Sequence, residues 1–185
     1  MDIKELEGKI AIVTGAGRLR GIGRATAVQL AKMGAKLIIT GTGRSPESYP
    51  EDEKKIGWKD IESTAEQIRE VGSEATTLIT DISKENNVDL LIETALNAYG
   101  KIDILVNNAA APYAEDRVPV IEVDNEAFRK VIEVKLYGSY LCSKAVAKVM
   151  IDNKNGGRII NLSSIAGKSG NARMAAYAAA NFAID

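Results

Sequence analysis

The chain has 185 residues, with 24 Lys plus Arg against 25 Asp plus Glu and a formal charge of −1. That length fits one compact unit, and the charge balance excludes the broad basic footprint of a nucleic-acid binder. Histidine is absent and the only cysteine is Cys142, which removes imidazole bases, Ser–His–Asp and Cys–His hydrolases, zinc proteases and an internal disulfide framework, and points to a reducing, cytoplasmic setting. No metal site is read. The acidic start, Met1 to Gly8, has no apolar signal region, and no apolar run approaches the roughly 20 residues of a membrane span.

Strands and helices alternate along the chain. Lys9–Thr14 is a short apolar run ending in glycines, the pattern of a buried strand, and Gly23–Met33 follows with helical spacing until Gly34. Lys36–Thr40 is a second buried strand. Residues 60–71 place Ile61, Ala65, Ile68 and Val71 at helical intervals. Ala75–Thr80 is a third strand, with Ser83 expected to cap a helix over 84–99. Ile102–Val106 is the fourth strand, Asp124 opens a long helix to about Asp152, Gly157–Ser163 is the fifth strand, and Met174–Ile184 is helical. This alternation predicts an α/β fold, a doubly wound parallel sheet of Rossmann type with strand order 3-2-1-4-5. Residues 41–59 form an unusually long connection with Pro46, Pro50 and the cluster Glu51 to Lys55, a length usual for functional or disordered loops.

Between the first strand and first helix lies Thr14-Gly15-Ala16-Gly17-Arg18-Leu19-Arg20-Gly21-Ile22-Gly23. Free backbone N–H groups and the positive end of a helix dipole make such a loop a pyrophosphate site, and glycines allow close approach.

At these residues the sequence resembles the short-chain dehydrogenase/reductase family, whose fingerprint is Thr-Gly-x-x-x-Gly-x-Gly. Five residues rather than three separate Gly15 from Gly21, so the loop carries a two-residue insertion. Asp81 with Ile82 resembles the family's adenine-contacting acid. Asn107-Asn108-Ala109-Ala110 is similar to Asn-Asn-Ala-Gly, Ala110 replacing the usual glycine. Asn161-Leu162-Ser163-Ser164 resembles the strand carrying the catalytic serine, Ser164, with Ser163 read as structural. Tyr177 lies 13 residues beyond Ser164, at the spacing of the catalytic tyrosine. Within the family the chain resembles 3-oxoacyl reductases and sugar or alcohol dehydrogenases. Asp185 falls inside a helix with neither cap nor glycine stop, so residues 1–185 are read as one domain lacking the family's C-terminal part.

The second strand ends in Thr40-Gly41-Thr42-Gly43-Arg44-Ser45, without the Asp or Glu that would hold the adenosine ribose of NAD. With Arg44, Arg18 and Arg20 nearby in sequence, NADP is expected over NAD, since guanidinium groups suit a phosphate dianion.

The resemblance implies reduction of a carbonyl, or oxidation of a secondary alcohol, with a tyrosine delivering the proton. In the family a lysine four residues after the tyrosine lowers its pKa, and an asparagine on the preceding long helix holds a relay water. This chain departs at both positions. Tyr177-Ala-Ala-Ala-Asn181 has asparagine where lysine is usual, and Val134-Lys135-Leu136-Tyr137-Gly138 has lysine where asparagine is usual. The expectation is that Lys135 supplies the ammonium while Asn181 takes over ribose or water contacts. The rival expectation is a dinucleotide-binding protein of the same fold that has lost catalysis and acts as a sensor or partner. Pro112 and Tyr113 are expected to line the site. Lys168, Asn171 and Arg173 favour a polar or anionic substrate, or are simply solvated. The resemblance implies a homodimer or homotetramer.

Overall fold

The computed structural model describes residues 4–112, 116–154 and 156–185. β1 (Ile10–Val13), β2 (Lys36–Gly41) and β4 (Ile104–Asn107) are apolar runs buried almost throughout, as strands covered on both faces must be. With β3 (Ala75–Ile79) and β5 (Arg158–Asn161) they form one parallel sheet in the order β3-β2-β1-β4-β5. The order predicted from the alternation of elements is the order found.

Alternate residues of β2 face opposite layers. Ile38 joins Leu91 of α4 (Glu85–Tyr99) and Leu141, Cys142 and Val146 of α6 (Ser139–Asp152). Leu37 and Ile39 join Ala27 and Ala31 of α1 (Ile22–Lys32) and Ile61, Ala65 and Ile68 of α3 (Ile61–Glu70). Cys142 lies fully inside the first layer, and burial pushes its thiol up to about 12, which makes it an inert small hydrophobe. β5 is a sheet edge, with Ile159 and Ile160 37% and 46% exposed.

Three local expectations are corrected. The connection 41–59 is not bare loop but holds a 3-10 turn at Pro46–Ser48 and a short helix, α2 (Glu51–Lys55), packed against the glycine loop. Ser83 does not cap α4; Lys84 holds that position without a side-chain cap, because the Ser83 hydroxyl donates to Asp81 Oδ1 at 2.7 Å. The long helix is interrupted. Asp124 does cap α5 (Asn125–Ile132), accepting from Glu126 N and Ala127 N at 2.9 and 3.0 Å. A π-turn over Glu133–Gly138 then precedes α6, and such a turn turns side chains off the regular helical stripe.

Candidate active site

All parallel strands end at one rim, where the loops after β1, β2, β4 and β5 converge, the usual place for a ligand in an open sheet of this kind. The loop after β1 is stitched to the end of β4. Thr14 Oγ1 accepts from Asn108 N and Ala109 N, both at 3.1 Å, while Asn108 Nδ2 donates to Thr14 O and Gly15 O at 2.8 and 2.9 Å. Gly15 has φ +70°, and a Cβ there would lie 2.8 Å from Ala109 Cα, so both conformation and space require glycine. Gly21 occupies the N-cap of α1 without a side-chain bond, and the first turn contains no acidic residue. The first N–H groups of α1, from Ile22 and Gly23 on, therefore meet no side-chain acceptor from the cap, as an anion site requires. These features fit a dinucleotide pyrophosphate.

The connection after β2 grips this loop from the other side. Trp58 Nε1 donates to Gly17 O at 2.7 Å, and from α3 beyond it Thr64 Oγ1 donates to Ala16 O at 2.7 Å. The two inserted residues of the glycine loop are engaged as well: Leu19 N donates to Glu53 Oε1 at 2.9 Å, and Arg20 Nε pairs with Asp52 at 2.7 Å. Arg44 stands between. Its guanidinium pairs with Glu53 at 2.9 Å and Asp60 at 3.2 Å, donates to Gly17 O at 3.0 Å, and lies 4.8 Å over the Tyr49 ring. Of the three arginines expected near a 2′-phosphate, Arg44 and Arg20 thus meet carboxylates, while Arg18 is exposed. Sequence reading missed Glu53, Trp58 and Asp60; the one signal was the length of the connection.

Asp81 is half-buried and engaged with Ser83, whereas Ile82 is a core residue whose side chain lies against Gly138. Ala110 is exposed at the rim. Asn107, the first residue of the motif at the end of β4, is buried and donates to Asn161 Oδ1 at 2.8 Å and Ser143 Oγ at 2.9 Å, fixing the ends of β4 and β5 to α6.

The structure brings the four candidate catalytic residues into one region, around the end of β5, the π-turn and α7 (Ala175–Ile184). Ser164 caps a 3-10 turn over Ile165–Gly167, its Oγ accepting from Ala166 N at 3.2 Å. Ser163 Oγ donates to Asn181 O at 3.2 Å, tying the strand end to α7. Lys135 is 4% exposed, and its ammonium donates to Leu162 O, two residues before Ser164. Burial holds that ammonium below the ordinary lysine range. Asn181 is fully buried, with Nδ2 turned back to Tyr177 O at 2.8 Å and Oδ1 without a hydrogen-bond partner. Tyr177 carries a neighbour that sequence reading also missed. The Arg117 guanidinium lies 3.9 Å over the centre of its ring.

Pro112 is exposed after β4, and Tyr113 lies outside the described residues. Lys168 pairs with Asp185 at 2.9 Å, while Asn171 and Arg173 are exposed. Among the described residues no helix is long and apolar enough to cross a membrane.

Comparison with known proteins agrees with this geometry. The sequence profile of the short chain dehydrogenase family matches residues 9–185. A 3-oxoacyl-[acyl-carrier-protein] reductase of Synechocystis sp. is 36% identical over 175 residues, 95% of this chain and 63% of the relative. A sorbitol dehydrogenase of Cereibacter sphaeroides is 31% identical over 179 residues, 97% of this chain and 61% of the relative. Among solved structures, NAD+-bound xylitol dehydrogenase superposes with a TM-score of 0.82 at 33% identity, over 97% of this chain and 62% of that one. A metagenomic short-chain oxidoreductase in complex with NADP gives 0.81 at 32% identity, over 97% and 73%. The chain thus spans a little over 60% of the length of these curated relatives.

Proposed function

The chain belongs to the short-chain dehydrogenase family, and from that premise we propose an NAD(P)(H)-dependent oxidoreductase that interconverts a small carbonyl compound and its secondary alcohol. The reduced dinucleotide, when bound, supplies the hydride. Gly15, Gly17, Gly21, Ile22 and Gly23 would hold its pyrophosphate, Asp81 with Ile82 would meet its adenine, and Asn108, Ala109 and Ala110 would line the way to the nicotinamide end. Ser164 donates a hydrogen bond to the substrate oxygen, and the Tyr177 hydroxyl delivers the proton to the alkoxide as it develops. In the reverse direction Tyr177 takes the proton back from the alcohol.

The observation that carries this reading is the burial of Lys135 with its ammonium on the Leu162 carbonyl. A buried cation is costly unless it has a task or a partner, and here it stands by the strand that leads to Ser164. Lys135 thus keeps a positive charge in the region although residue 181 is asparagine. Asn181, with an open Oδ1, accepts from a water or a ribose hydroxyl.

Between the two dinucleotides, NADP is supported by the absence of an acid over Gly41–Ser45 and by the exposed Arg18. Arg44 contributes only from within its pairs with Glu53 and Asp60. The second reading, a silent dinucleotide binder, draws on the Asn181 amide being engaged by its own helix. A homo-oligomer is supported by Tyr137 and Tyr140, stacked at 6.0 Å and about half exposed on the long helix.

The test is oxidation of NADPH and NADH by the full-length protein against ketones, sugar-derived ketones and 3-oxoacyl thioesters, with Tyr177→Phe as control. Multiple turnovers lost in Tyr177→Phe support the enzyme. Tight dinucleotide binding without turnover on the whole panel supports the silent binder.

A further inference from the structure

Family resemblance directs attention to residues 135 and 181, yet the charge that touches the Tyr177 ring comes from neither. Arg117 lies between the end of β4 and α5, in a segment whose sequence shows no motif. Its guanidinium centre is 3.9 Å from the Tyr177 ring centroid, well inside the distance at which a cation is attracted to an aromatic face. The side chain is 12% exposed and pairs through Nε with Asp116 Oδ1 at 3.4 Å. Asp116 is itself 3% exposed, and its Oδ2 has no hydrogen-bond partner. Such a pair taken out of water is a poor stabiliser. The contact of its guanidinium with the Tyr177 ring gives it a different use.

We propose that Arg117 is a positioning residue for Tyr177, its guanidinium close over the ring to fix its orientation and to favour the tyrosinate over the neutral phenol. The inference rests on Tyr177 being the proton donor. A guanidinium above the ring face interacts with the electron density of the whole π-system, which is greater in the phenolate, so its attraction grows as the hydroxyl proton leaves. An ammonium one helical turn along would serve the same end from the ring edge, and Asn181 cannot do so because it is uncharged. Arg117 therefore adds, from the opposite chain segment, a cation that α7 itself does not carry.

Among the described residues, the other charged groups on the elements packed against α7 make contacts of their own. α7 packs on α5, on the π-turn and on the 3-10 turn after Ser164. α5 packs Phe128, Val131 and Ile132 against it. The π-turn brings Lys135, whose ammonium is on Leu162 O. Beyond the 3-10 turn, Lys168 and Asp185 pair with one another at 2.9 Å.

The experiment is an ultraviolet pH titration of the wild type minus that of Tyr177→Phe, which isolates the ionisation of this one ring. It is repeated in the Arg117→Met and Arg117→Lys backgrounds and accompanied by the pH profile of kcat and a thermal melt for each protein. Arg117→Met is expected to move the Tyr177 midpoint and the matching limb of the kcat profile to higher pH together, by about one pH unit. Arg117→Lys is expected to recover part of the shift. An unchanged midpoint in a folded Arg117→Met, or a kcat loss with no movement along the pH axis, would overturn the proposal. Because the titration needs no turnover, a midpoint that moves in a protein without activity would sustain the Arg117–Tyr177 coupling while the oxidoreductase reading fails.

Discussion

At the scale of single residues, the exchange between positions 135 and 181 changes which side chain bears the cost of burial. A lysine in the position usual for the family, one turn after the tyrosine, would extend its stem along α7. Here the ammonium is fed in from the π-turn, and its desolvation is visible as a depressed proton affinity. The sign for stability follows from linkage. The folded value lies below the unfolded one of about 10.4, so the penalty is fully present below the folded value and is relieved as pH rises from it to the unfolded one. Thermal melts of the wild type and Lys135→Met should therefore converge or cross in favour of the wild type between neutral and alkaline pH. The same substitution should lower kcat by about 100-fold or more, the usual contribution of acid–base machinery, while dinucleotide affinity, read by fluorescence, stays within a few-fold.

At the scale of elements, the two insertions form a single unit. The extra residues of the glycine loop and the long connection after β2 meet through Leu19 with Glu53, Arg20 with Asp52, and Gly17 with Trp58 and Arg44. A Cβ at Gly17 would run into the Asp60 carboxylate, so Gly17→Ala should push the connection off the loop. A cost of about 1–3 kcal/mol is usual for overpacking, read as a lower Tm and a roughly tenfold weaker dinucleotide affinity in a titration. The same unit shows where sequence reading stopped. Strand and helix periodicity is a local signal, and it placed all five strands, their order and the glycine loop. Whether Arg44 faces a phosphate or a pair of carboxylates depends on how a connection of nearly twenty residues folds back, which no local pattern encodes. Arg117 was hidden for the same reason, as its contact with Tyr177 joins residues 60 positions apart. Tyr177, Ser164 and the departures at 135 and 181 could be singled out from the sequence because a family motif fixes their spacing; their roles are proposals.

At the scale of the whole molecule, β1 and β4 are locked at their N-terminal ends by a charged group rather than by apolar packing alone. Asp103 is 4% exposed, accepts from Ile10 N at 2.9 Å, and pairs with Lys101 at 3.0 Å and Lys9 at 3.4 Å. Burial alone would raise its carboxyl, but the Ile10 bond and the two lysines outweigh it and hold it below the ordinary range. The stabilisation is therefore present above the unfolded value of about 3.9 and is lost as pH falls through the lower folded value. Asp103→Ala should cost about 1–3 kcal/mol by stranding the Ile10 N–H, seen as a lower denaturation midpoint at pH 7 and a smaller difference from the wild type at acid pH. On the proposed reading, activity rests on the cation and the amide having traded places, and one mutant set addresses that. Steady-state rates with both reduced dinucleotides should be measured for the wild type, Lys135→Asn, Asn181→Lys and the double exchange. The account predicts turnover in the wild type, loss of about 100-fold or more in Lys135→Asn, and recovery to within about tenfold of the wild type when Asn181→Lys is added, a strongly non-additive pair. A Lys135→Asn variant as active as the wild type, or a double exchange no better than Lys135→Asn alone, would contradict it.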